Sequence, residues 1–157
     1  MSRTRTGRLA AAALLAVGTA VGAAAPAFAA IGPGDVNGKH PRDVGCRADQ
    51  QVIYHTIIRD GSGNARGYVD LMYSVHCHAA WAHVHGVKPV ANQTYVPQGY
   101  VARSDGKHSP TCYTPEGGQD CYTTMLWDKD PLKARARGII DPNGATNTVY
   151  AAWTPWY

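Results

Sequence analysis

Val52-Ile53-Tyr54-His55-Thr56-Ile57-Ile58-Arg59-Asp60-Gly61-Ser62-Gly63-Asn64-Ala65-Arg66-Gly67-Tyr68-Val69-Asp70-Leu71-Met72-Tyr73-Ser74-Val75 reads as two strands around one turn. Val52, Tyr54, Thr56 and Ile58 alternate with Ile53, His55 and Ile57, which predicts a strand apolar on both faces and therefore central. Asp60 to Asn64 is a turn cluster, and Val69, Leu71, Tyr73 and Val75 then line one face of the returning strand. Working outward, period two recurs near 79–87, 94–103, 121–127, 133–140 and 147–153. Turn signals separate these runs at Asp105-Gly106, Pro115 to Gly118, Asp130-Pro131 and Asp141-Pro142-Asn143-Gly144. No stretch sustains an apolar period of 3.6. Beyond residue 29 the chain has three Leu and one Glu against eleven Val, nine Thr, nine Tyr, six Ile and four Trp, residues that suit a pleated surface. The expected fold is all-β: a small antiparallel sandwich or barrel of about seven strands.

The first 29 residues read differently. Arg3, Arg5 and Arg8 form a positive segment with no acid, Leu9 to Ala25 is apolar and Ala-rich, and Ala27-Phe28-Ala29 offers small residues for cleavage before Ala30. A membrane-spanning helix needs ~20 strongly apolar residues, which this run lacks. The expected organisation is a secretory signal peptide over 1–29, an extended lead-in over 30–44 and a single β domain over 45–157. The mature protein is then expected to be soluble, extracellular and free of the membrane. Taking the leader's three Arg from the 15 basic residues of the chain leaves 12 against 11 acidic. So balanced a domain carries no nucleic-acid signature.

All four cysteines, Cys46, Cys77, Cys112 and Cys121, lie beyond the expected cut. An even number in an exported chain argues for disulfides. Of three connectivities, Cys112–Cys121 around the Thr114-Pro115-Glu116-Gly117-Gly118 loop is favoured, which leaves Cys46–Cys77. Through lost freedom of the unfolded chain these would stabilise by roughly 3 and 4 kcal/mol. A four-thiolate zinc site is disfavoured, because it needs closely spaced cysteine pairs.

Gly67-Tyr68-Val69-Asp70-Leu71-Met72-Tyr73-Ser74, followed by Cys77 and Trp81-Ala82, resembles the YjfA-like family of small secreted domains from Gram-positive bacteria, of unknown function. Members share an L-x-Y-S-x-x-C-x-x-x-W-A core, an upstream Cys (here Cys46) and an Ala-Arg-Ala segment (here Ala134-Arg135-Ala136). The resemblance spans roughly Gly45 to Trp156. It implies a secreted, disulfide-bearing β domain and supplies no activity.

Two residue groups are candidates for function. His76-x-His78 and His83-x-His85 put four of seven imidazoles within ten residues. Residues i and i+2 of a strand share a face, so each pair suits a metal such as zinc or copper. Parity opposes a joint site, because one continuous strand would put the two pairs on opposite faces. A bulge or turn near Ala79-Ala80 would reunite them; otherwise each pair needs outside ligands such as Asp70, His55 or His108. Solvent-facing polar residues or a protonation switch are the competing readings. The second group is Trp153, Trp156 and Tyr157, flat faces with polar handles that suit a cell-wall glycan or a protein partner. Trp81, Trp127 and Trp153 are alternatively core filling.

Catalytic signatures are absent: no G-x-S-x-G elbow, no H-E-x-x-H helix, no phosphate-cradling loop. Glu116 is the single Glu beyond the leader, and Asp128 and Asp130 look like part of a turn. Asn92-Gln93-Thr94 matches a glycosylation sequon. A non-catalytic extracellular binding module is the expected function, with a metal-binding protein or metal-dependent enzyme as the alternative.

Overall fold

The computed structural model describes residues 31–88, 96–113, 118–142 and 149–157. The leader Met1–Ala29, the sequon with Tyr95, the 114–117 loop and Asn143-Gly144 lie outside these residues. The described chain is an antiparallel β-sandwich and not a closed barrel. Its strands are β1 (Gln50–Arg59), β2 (Ala65–Ser74), β3 (Ala79–His85), β4 (Val96–Arg103), β5 (Cys112–Tyr113), β6 (Cys121–Tyr122), β7 (Leu126–Trp127), β8 (Ala134–Asp141) and β9 (Tyr150–Trp153). The first sheet runs β1-β2-β3-β6, with β7 also on β3; the second runs β5-β4-β8-β9.

The opening hairpin forms around its turn. Asp60 holds it, its carboxylate accepting from the Ser62 and Asn64 N–H groups at 2.9 Å and from Arg66 Nε at 2.8 Å. β1 is nevertheless an edge strand and not a central one, and its outer residues Val52 and Ile57 are 55% and 38% exposed. A register shift between Val52 and Tyr54 lets Ile53 and Tyr54 both pack on the core, so apolar residues on both sides of β1 reflect a bulge and an open edge. The strand expected over 121–127 is two short strands. Between them Met125 leaves β3 and pairs with the lead-in: its N–H donates to Lys39 O at 2.9 Å, and Gly38 N–H donates to Met125 O at 3.0 Å.

The main core lies between the sheets, built from Ile58, Val69, Leu71, Ala80, Ala82, Val84, Val101, Ala136 and Ile140. A second cluster covers one end of the first sheet's outer face, where Met72 and Trp81 are buried with Val36, Cys46, Cys77 and Met125. The lead-in that caps it is not extended throughout. Pro33–Val36 makes one helical turn, with Pro33 in its first turn and Gly32 N–H donating to the Asp35 carboxylate at 2.8 Å. Disulfides join Cys46 to Cys77 and Cys112 to Cys121, with Cα atoms 5.8 and 5.9 Å apart. The first ties the lead-in's end to the β2–β3 turn. Half of the outer face is thus sealed, and the other half stays open to solvent.

Candidate functional site

The open half of that face carries a row of polar rings. Antiparallel register sets His55 of β1 opposite Asp70 of β2, Asp70 opposite His83 of β3, and His83 opposite Tyr122 of β6. One row along, Tyr68 of β2 faces His85 of β3. Alternation puts these residues outward because Val69, Leu71, Ala82 and Val84 point into the core. Gly86, at φ +62°, ends β3 beside them; a Cβ there would stand 2.9 Å from the Tyr68 ring. Glycine therefore allows Tyr68 to lie flat against the site.

Asp70 is the centre, only 6% exposed although it sits on an outer face. His55 Nδ1 donates to Oδ1 at 2.6 Å, and His85 Nε2 donates to Oδ2 at 2.9 Å. His83 Nδ1 stands 4.0 Å from Oδ2. The rings close around the carboxylate as a stack: Tyr122 on His83 at 4.0 Å, His83 on His85 at 4.5 Å, Tyr68 on His85 at 5.5 Å and Tyr68 on His55 at 4.8 Å. Burial pushes the His83 imidazole below its ordinary value, and the neighbouring His85 adds to this against the pull of Asp70 and Asp120. Such desolvation favours the neutral, lone-pair-bearing form.

One ligand atom from each of His55, Asp70 and His85 falls within 4.8 Å of the others. Two imidazoles and one carboxylate from three adjacent strands form a donor set suited to a borderline divalent ion such as zinc or copper, with coordination positions left over for water.

The two H-x-H pairs are placed apart. His83 and His85 share the open face, whereas His76 and His78 lie in the β2–β3 turn at the far end of β3. A turn over residues 75–78 interrupts the chain between the pairs, and it separates them where a reunited site would need them together. Asp49 organises that turn, accepting from Ser74 Oγ at 2.6 Å and from His76 N–H at 2.8 Å. His78 has φ +45°, and its Nδ1 is 3.5 Å from Tyr73 OH. His108 lies near Tyr100, on the other sheet. His55 and Asp70 enter the site through the hairpin register, which counting outward from Asp60–Asn64 approximates; Tyr68 and Tyr122 carry no comparable local signal.

The C-terminal aromatics divide. Trp153 and Trp156 flank Arg135, at 4.0 and 4.4 Å from ring centre to guanidinium carbon. Tyr157 turns away and packs edge-on against Tyr73 at 5.2 Å. Trp81 is wholly buried, as core filling requires.

A family model described as a protein of unknown function matches residues 35–137, a span that contains the entire His–Asp row. No curated protein matches the chain, and no solved structure does.

Proposed function

The chain belongs to that family of proteins of unknown function, DUF2690, and we propose that it is an exported binding module whose ligand is a divalent transition-metal ion. The observation that carries this reading is the convergence of His55, Asp70 and His85 within 4.8 Å around a largely buried carboxylate. In the metal-free form the two imidazoles satisfy Asp70 by hydrogen bonds. A bound ion would be held by His55 Nδ1, His85 Nε2 and an Asp70 oxygen, with the proton of each neutral imidazole resting on its other ring nitrogen and Asp70 supplying the negative charge. Tyr68, stacked on His55 and His85, and His83, stacked on His85 with Tyr122 behind it, would hold the ligands in place, as outer-shell groups do in metal sites. Export is supported by two disulfides and by the leader-like first 29 residues.

Calorimetric titration of tag-free protein with zinc sulfate at pH ~7.5 tests the reading. One ion per chain is expected, with Asp70→Asn and His85→Ala each weakening binding by at least about tenfold and His76→Ala binding like the parent. Affinity should fall at pH ~5.5, where protons compete for the imidazoles. At ~100 times its dissociation constant the ion should stabilise the fold by roughly 2.7 kcal/mol. Absence of saturable binding by zinc, copper and nickel would reject the metal reading.

A further inference from the structure

On the opposite side of the molecule, the outer face of the second sheet carries a row of a different kind. Register places Tyr100 of β4 beside Arg137 of β8, and Arg137 beside Trp153 of β9. The Arg137 guanidinium stands 5.5 Å from the Trp153 ring and 5.8 Å from that of Tyr100, and its Nη1 donates to Tyr100 OH at 3.2 Å. Arg135 lies two residues earlier on the same face, between Trp153 and Trp156. A groove of about 390 Å³ opens beside them, lined by Tyr100, Lys107, His108, Arg135, Trp153 and Trp156 among others.

The charge in this groove is unbalanced. Arg103, also on its wall, is neutralised by Asp105 at 2.7 Å. Among the described residues, neither Arg135 nor Arg137 forms an ion pair with a carboxylate, and the Nε of each is buried without a hydrogen-bond partner. Arg135, between its two Trp rings, and Lys107 therefore line the groove with no ion pair to a carboxylate among the described residues, and Arg137, bonded to Tyr100 OH, adds a third positive charge beside them. Trp156 is 40% exposed and presents one such face to solvent.

We propose that this groove binds an anionic glycan, a sugar chain bearing carboxylate or phosphate groups. A guanidinium takes such an anion through two parallel hydrogen bonds. Aromatic rings take the apolar C–H face of a sugar while its hydroxyls stay wet. An acidic peptide would match the charge but leaves Trp156 and Tyr100 without a ring-sized apolar partner. The groove and the Asp70 cluster lie on outer faces of different sheets, so the two ligands do not compete.

Affinity electrophoresis of the full mature protein through gels containing a defined polymer tests this, at low and at physiological salt. Polygalacturonate and a sugar–phosphate polymer distinguish the two anion sources; either one retarding the protein supports the proposal. Neutral dextran should not retard it, and salt should weaken retention by screening the ion pairs. Trp156→Ala and Arg135→Gln should each reduce affinity at least about tenfold, while the charge-matched Arg42→Gln, on the lead-in, should not. Thermal unfolding of each variant establishes that it is folded, and Trp156, being exposed, can be removed without opening the core. No retardation by either anionic polymer would overturn the proposal. Equal retention of Trp156→Ala and parent, or tighter binding to poly-glutamate or to a DNA oligonucleotide than to any anionic glycan, would overturn it too.

Discussion

Asp128 is a buried carboxyl whose ionisation couples the fold to pH. It is 5% exposed, and neither carboxylate oxygen has a hydrogen-bond partner among the described residues. The side chain belongs to the wall of a cavity of about 580 Å³ with Tyr73, His78, Lys129, Asp130 and Lys133. Burial pushes its pKa up from 3.8 to about 7, with Arg103 pulling it down and Asp130 adding to the rise. Between pH ~4 and ~7 the folded protein holds a proton that the unfolded chain has released. Stability from this group is therefore complete below pH ~4 and is lost as pH rises through ~7, by on the order of 4 kcal/mol. His83, whose pKa is lowered, acts with the opposite sign below the ordinary imidazole value of ~6.5, so the comparison of variant with parent isolates Asp128. Asp128→Asn should be more stable than the parent at pH ~8, with the advantage shrinking toward pH ~4. Melting temperatures of the two proteins across that range check this; a constant difference would contradict it.

At the scale of the strands, the sandwich is closed by a pair of glycines. Gly99 of β4 and Gly138 of β8 are register partners. A Cβ on Gly138 would stand 2.6 Å from Val69 Cβ and 2.7 Å from Ile58 Cδ1; one on Gly99 would stand 2.7 Å from Val84 Cγ2. The sheets thus approach across a position where no side chain fits. Gly138→Ala should cost about 1–3 kcal/mol by overpacking. Gly34→Ala, where nothing lies within 4 Å, should stay within about 0.5 kcal/mol of the parent. Urea denaturation measures both, and equal effects would remove the close-approach argument. Split strands have the same kind of cause: β6 and β7 are separate because Met125 belongs to the lead-in's cluster and not to the edge of β3.

Over the whole molecule, Cys46–Cys77 spans 31 residues and Cys112–Cys121 spans 9. Removing the first pair by Cys46→Ser/Cys77→Ser should cost about 2–4 kcal/mol and more than removing the second, because the longer loop restricts the unfolded chain more. Denaturant midpoints compare the two, and a larger loss from the shorter loop would contradict the entropy argument. The longer bridge also pins the segment that covers Trp81, so it divides the outer face into a sealed half and the half that carries Asp70. By itself, the sequence determined the all-β class, the opening hairpin with its Asp60–Asn64 turn and the shared face of His83 and His85, and it favoured the disulfide pairing that forms. Each of these depends on period two or on short chain separations, which neighbouring residues set. Only the tertiary structure decided that β1 is an edge, that His55 reaches Asp70 and His85, that Arg135 and Arg137 stand between aromatic rings, and that Asp128 is buried. Those facts depend on which strands pair, on bulges within them, and on how two sheets stack, and register between distant segments leaves no periodic trace in either one.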